Sequence, residues 1–240
     1  YRFAARFGFA IDPPTAQAAQ ELCAHLDCVS VERIEEELAK LLSAPAPAAY
    51  LDEKILGVVL PELSPEALAA AKPVVDACPA GEQALPVRLA ALLLSLGEDG
   101  TRRTLRRLRC SNNRIEETAV LVREVVSGVP VSLNIYTRKL LGKYNLCTVQ
   151  RLAALGTALQ PERSADFAAL SELAERLDAD GVCCRISQLA VNGRDLMAAG
   201  VPAGPGIRKV LEALLDGVIR EEYPNERQAL LAAVQQLAAS

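Results

Sequence analysis

The sequence predicts an all-α fold, a multi-helix arrangement without a sheet. Apolar residues make up 51% of the 240 residues, yet aromatics only 4%, and Trp is absent. Ala and Leu dominate the apolar set, and both favour helix. Val/Ile runs alternating with polar residues are scarce, so the two-residue period of a half-buried strand is missing.

Each element follows from local signals. Helical periodicity opens in YRFAARFGF and stops at the turn Asp12-Pro13-Pro14-Thr15. TAQAAQELCAHL follows, with Thr15 as its N-cap, and Ser30 caps VERIEEELAKLL. SAPAPAAY is a Pro/Ala connector. LDEKILGVVLPELSPEALAAA contains a further cap, Ser64-Pro65-Glu66, with Pro at the first helical position. CPAGEQALP reads as a loop, and residues 87–96 as an apolar helix closed by Gly97. An arginine-rich helix starts at Gly100 and Thr101; SNNRIEETAVLVREVV, capped by Ser111 or Asn112, comes after it. SGVPVSLN breaks the pattern. Residues 135–160 read as short helices stopped at Gly142 and Gly156, and 165–178 as an amphipathic helix. DADGVCCRISQLAVNG is irregular, and RDLMAAGVPAGPGIRKVLEALLDGVI reads as helix, Gly/Pro turn, helix.

Composition excludes several functions. No apolar run reaches the roughly 20 residues of a membrane span, and no signal-peptide pattern is present. The opening segment is already helical and lacks Met, which reads as a piece of a longer chain. Seven cysteines without a CxxC pair speak against zinc and for reduced thiols, hence a cytoplasmic setting. His25 is the only histidine, which sets aside any His/Asp metal cluster. Within ELCAHLDCVS it reads as a half-buried structural residue.

Charge is uneven. The chain has net charge −4, but residues 100–151 carry 11 basic and 3 acidic side chains. TRRTLRRLRC supplies Arg102, Arg103, Arg106, Arg107 and Arg109. At about 100° per residue these fall on one side of a helix, with Thr101, Thr104, Leu105 and Leu108 on the other. With the start at Gly100, Arg102 and Arg103 sit in the first turn, where cations oppose the helix dipole. A surface that tolerates this repulsion suits an anion, and the guanidinium fork suits phosphate. Asn112 and Arg114 stand nearby as helpers. The plain counter-reading is compositional: Arg outnumbers Lys 20 to 6, as a GC-rich genome writes, and an arginine face can be simply solvated.

DLMAAGVPAGPGIRKVL, residues 195–211, has the layout of a helix-hairpin-helix. Gly204 and Gly206 would let a nucleic-acid backbone approach, with Arg208 and Lys209 early in the second helix. The counter-reading is a rigid corner between two packed helices.

YRFAARFGFAIDPPT, VSVERIEEELAKLL, LRRLRCSNNRI and LAVNGRDLMAAGVPAGPGIRKVLEALLDGVI…PNERQALL together resemble the bacterial class II CCA-adding enzymes, tRNA nucleotidyltransferases related to bacterial poly(A) polymerase. The resemblance runs in order along most of the chain. Arg33, Glu37 and Lys40 match the family's R-x-x-x-E-x-x-K neck motif, and their spacing places them on one helix face as a structural clamp. The resemblance implies a neck end at 1–50, a helical body at 51–130 and a tail at 131–240. It implies that this region holds the tRNA acceptor and T arms and the elbow, while a head using Mg²⁺ with CTP and ATP acts on the 3′ end. The head's Gly-Ser and D-x-D signature and the neck's E-D-x-x-R are not in these residues. Asp178 and Asp180 form a DAD without a preceding Gly-Ser, and are set aside as a metal site. Leu94 and Ser95 stand where some relatives carry His-Asp, so phosphohydrolase activity is not expected. The chain is expected to bind no cofactor and to lack catalysis of its own. Arg2 and Arg6 are expected to line the nucleotide pocket. The rival readings are the same region of a poly(A) polymerase, or a helical scaffold whose arginines meet an acidic protein.

Overall fold

The computed structural model describes residues 1–126 and 134–238. Among them there is no strand, and fourteen α-helices with short 3₁₀ turns form two compact units, Tyr1–Val129 with Arg151–Ala168, and Pro130–Gln150 with Ala169–Ser240. The first unit takes in the expected neck segment, the expected body segment as far as Val129, and residues 151–168 of the expected tail.

The first unit opens with α1 (Arg2–Phe7), α2 (Pro13–Leu22) and α3 (Val31–Leu42). Asp12, not Thr15, caps α2: its carboxylate accepts from the Thr15 N–H at 3.4 Å, and Pro13 and Pro14 occupy positions whose N–H groups need no partner. His25 lies exposed in a 3₁₀ turn, Cys23–Cys28, rather than half-buried. Next come α4 (Glu53–Val59), capped by Asp52, and α5 (Pro65–Ala77), capped by Ser64 as its sequence predicts. Every residue of α6 (Leu85–Leu93) is buried, so its apolar surface packs all round, against α3, α5 and α8 (Asn112–Val126). Within it Arg88 is 1% exposed and pairs with no carboxylate among the described residues. Its guanidinium donates to the carbonyls of Leu42 (2.5 Å), Ala44, Pro45 (3.3 Å) and Cys78 (3.1 Å). Those are carbonyls left over where α3 and α5 end, so one side chain caps two helix termini from inside the core.

A 3₁₀ turn, Leu94–Leu96, leads into α7 (Gly97–Arg107), which packs on α8. SGVPVSL, residues 127–133, lies outside the described residues. Then follow α9 (Asn134–Lys143), α10 (Leu146–Leu159) and α11 (Ser164–Ala179). Gly142 and Gly156 are not stops; both lie inside helices. A Cβ on Gly156 would fall 2.2 Å from the Phe167 ring, and one on Gly142 would fall 2.4 Å from the Cys184 carbonyl oxygen. Packing, not termination, demands glycine there.

The second unit is built around α12 (Gly193–Ala198), α13 (Pro205–Ile219) and α14 (Arg227–Ala238). Its core joins Cys183, Val191, Leu196, Leu214, Val218 and Leu230, with Ile207 and Tyr223 packed against them.

Candidate nucleic-acid interface

The arginine segment lies differently from its expected register. α7 starts at Gly97, three residues early, so Glu98 and Asp99 occupy its first turn and Arg106 and Arg107 its last. Both charges then complement the helix dipole, and the expected dipole conflict at Arg102 and Arg103 disappears. Arg109 is outside the helix, in the left-handed region at φ 57°, where the Cys110 N–H closes onto the Leu105 carbonyl at 3.0 Å.

The expectation of five guanidiniums on one open face is corrected. Arg102 bridges Glu98 (3.0 Å) and Glu116. Arg107 grips both oxygens of Glu62 at 2.7 and 2.8 Å and donates to the Val59 carbonyl at 2.9 Å. Arg109 pairs with Glu32, and Arg114 with Glu35. The carboxylates come from α3, α7, α8 and the stretch after α4, elements whose approach no local pattern shows. Arg103 and Arg106 are exposed and have no ion pair among the described residues; they lie one turn apart on α7. Asn112 is exposed at the start of α8, whose Arg114 N–H is capped by the Ser111 hydroxyl at 3.3 Å.

The pairs leave a titration signature. The hydrogen bond from Arg102 holds Glu116 below the usual carboxylate range, and the reciprocal bond raises Arg102. Burial pushes Glu62 up, but hydrogen bonds led by Arg107 outweigh it and its pKa falls. Arg109–Glu32 is more than half exposed on both sides, 65% and 52%, and such pairs add little stability.

The neck clamp is also rearranged. Glu37 is held by Arg2 of α1 and lies 3.6 Å from Lys40, which reaches Glu36 at 3.4 Å. Arg33 is exposed and makes no ion pair with Glu37 among the described residues. α1 packs directly on α3 and delivers a guanidinium that takes the carboxylate first, so the clamp is Arg2–Glu37–Lys40. Arg2 and Arg6 line a cavity of about 520 Å³ together with Lys40, Arg114, Glu35 and Glu82.

In the second unit the Gly/Pro turn forms as its spacing predicts. Asn192 caps α12, accepting from the Arg194 and Asp195 N–H groups at 2.8 and 3.4 Å, and Asp195 accepts from the Asn192 N–H at 2.8 Å. Gly200 (φ 95°) and Gly204 (φ 144°) turn the chain into α13 through conformations that side chains rarely adopt. Gly204, Gly206, Arg208 and Lys209 are all exposed. Arg208 has only its helix neighbour Glu212, at 2.9 Å, and Lys209 has no ion pair among the described residues. Arg194, which the sequence reading passed over, is exposed at the start of α12.

Asp178 and Asp180 lie close together in sequence, two residues apart. They sit at the end of α11, where their backbone closes the helix, and no group of three or more potential ligands occurs among the described residues. No described helix is long and apolar enough to cross a membrane.

Comparison with known proteins gives this geometry a context. A family described as "tRNA nucleotidyltransferase domain 2 putative" matches residues 87–234, more than half of the chain. One described as "Probable RNA and SrmB- binding site of polymerase A" matches residues 8–66. The CCA-adding enzyme of Geobacillus stearothermophilus is 28% identical over 235 residues, 96% of this chain and 57% of the relative. That of Limosilactobacillus fermentum is 30% identical over 250 residues, 98% of this chain and 58% of the relative. The chain thus spans less than two thirds of the length of these relatives. The crystal structure of the Bacillus stearothermophilus CCA-adding enzyme in complex with CTP shares the fold, with a TM-score of 0.78 over 99% of this chain and 60% of that one, at 23% identity. An all-helical chain, matched in order from its first helices to its last by these relatives, belongs to the tRNA nucleotidyltransferase family.

Proposed function

We propose that this chain is the RNA-holding neck, body and tail region of a CCA-adding enzyme. It binds the acceptor and T arms of tRNA while C, C and A are added to the 3′ end from CTP and ATP. Nucleotidyl transfer and its Mg²⁺ belong to a head outside these 240 residues, and no step of that chemistry falls to side chains of this chain. The observation that carries the reading is the pair Arg103 and Arg106, exposed cations with no ion pair among the described residues, on a helix whose other arginines are neutralised. They take backbone phosphates, which read A-form shape rather than sequence. Arg102, Arg107 and Arg114 brace the first unit through their carboxylates. Arg109 joins the contact by exchanging the exposed Glu32 for a phosphate, with Asn112 beside it. Gly204, Gly206, Arg208 and Lys209, with Arg194, form a second contact at the elbow.

A minihelix of the acceptor and T arms tests this. Binding is expected to weaken steeply with salt, because each neutralised phosphate releases counterions. R103E/R106E is expected to abolish binding while the melting curve stays unchanged. Full binding by that variant, or an absent salt dependence, overturns the reading. The polymerase A wording of the match over residues 8–66 keeps one second reading alive, the same region of a poly(A) polymerase. The product formed by the complete enzyme, CCA or a homopolymer, decides between them.

A further inference from the structure

Three of the four phenylalanines lie within the first nine residues and on the surface. Phe3, Phe7 and Phe9 are 59%, 55% and 61% exposed, whereas Phe167 is buried. They are not scattered. Phe3 and Phe7, one turn apart on α1, have ring centroids 6.3 Å apart and planes 5° apart. Phe7 and Phe9 have centroids 5.5 Å apart and planes 27° apart. The backbone builds this alignment. Gly8, at φ 69°, ends α1 in the left-handed conformation, and the Phe9 N–H turns back to the Ala4 carbonyl at 3.0 Å. The Tyr50 hydroxyl then donates to the Phe9 carbonyl at 3.1 Å, while Ala4 and Ala5 bury the opposite face of α1.

The rings are edged with positive charge. The Arg2 guanidinium lies 3.9 Å from the Phe3 ring centroid and that of Arg6 lies 5.5 Å from the Phe7 centroid. Arg6 is exposed and has no ion pair among the described residues. Both arginines also line the 520 Å³ cavity described above, which Lys40 and Arg114 share. A near-parallel aromatic ladder bordered by guanidiniums matches the two needs of an unpaired nucleotide strand, π-faces for bases and cations for phosphates. An apolar protein partner would want the first and would bury the second at a cost.

We propose that Phe3, Phe7 and Phe9 form a stacking platform for unpaired nucleobases of RNA, with Arg6 taking the adjoining phosphate. The proposal rests on the RNA-holding reading for its choice of ligand, yet concerns single-stranded rather than duplex RNA. The chain has no Trp, so F7W introduces a single reporter that keeps the stacking face. A short single-stranded RNA oligonucleotide is expected to quench its emission. An oligonucleotide carrying 2-aminopurine is expected to lose fluorescence on binding the unmodified chain. F3L, F7L and F9L keep an apolar surface without the π-face, and each is expected to weaken oligonucleotide binding about fivefold to tenfold. An abasic oligonucleotide is expected to bind as weakly as the Leu variants. Absence of quenching in both fluorescence assays overturns the proposal. So does undiminished oligonucleotide binding by the Leu variants, which would make the ladder a docking face for apolar protein. Titrating the duplex minihelix in parallel separates the two claims. If R103E/R106E loses the duplex and keeps the quenching, both stand. Duplex binding without quenching removes only the platform, and quenching without duplex binding removes only the duplex grip.

Discussion

α7 and the turn into α13 start from the same sequence signal, clustered cations near glycines, and end in different states. On α7, Arg102 and Arg107 are captured by Glu98, Glu116 and Glu62, so two of its four arginines are neutralised. At the turn, Arg208 and Lys209 stay on the surface, with one exposed Glu212 nearby. The lesson is electrostatic. A run of arginines reports how much charge a segment carries; the potential it presents depends on carboxylates that the fold brings from elsewhere. Arg88 is the extreme of the inward state, a buried cation whose two terminal nitrogens donate only to carbonyls and whose Nε has no partner among the described residues.

Five measurements would break or sharpen this contrast. The largest effect is expected from R88M, which strands carbonyls at the ends of α3 and α5 in the core. A loss of about 3–5 kcal/mol should appear as a lower urea midpoint at unchanged slope. If the loss is under 1 kcal/mol, Arg88 does not hold the helix ends. Next, R103A/R106A should weaken minihelix binding about tenfold or more and reduce the salt slope by about 1 per arginine, with stability intact. R208A/K209A should act in the same direction by a smaller factor. R107A should do the reverse, costing about 1 kcal/mol of stability after allowance for its partial exposure and leaving RNA affinity unchanged. Equal RNA losses from R107A and R106A would erase the distinction between braced and free arginines. The smallest effect is the pH dependence. Glu37, Glu62 and Glu116 all titrate below their ordinary value when folded. Their stabilisation is complete above about pH 4.5 and disappears as pH falls through the depressed values. The urea midpoint should therefore drop between about pH 5 and 3, and E62Q should flatten that drop.

Much of the fold was legible because it is local. Ser64-Pro65, Ser111 and the Gly200–Gly204 turn announce helix ends through cap chemistry and backbone freedom. What misled was also physical. Gly142 and Gly156 carry the residue type of a stop, but their cause is a neighbour distant in sequence, Cys184 for one and the Phe167 ring for the other. Thr15 has the right chemistry for a cap, yet Asp12 reaches the free N–H first because two prolines fix the turn before it. The ion pairing of the arginines escaped the sequence for the same reason on a larger scale. The five arginines are plain in the sequence, but Glu32 and Glu62 lie 77 and 45 residues away from their partners. The phenylalanine ladder had a visible signal, three of the four phenylalanines within the first nine residues of an aromatic-poor chain.

Arg109 holds a backbone shape that costs an L-amino acid about 1–2 kcal/mol and that glycine adopts freely. Its side chain contributes only an exposed pair in return. Position 109 is therefore a natural handle for engineering. R109G removes one positive charge from this edge of the molecule while relaxing the chain that carries it, so any binding it loses belongs to the guanidinium and not to a weakened scaffold.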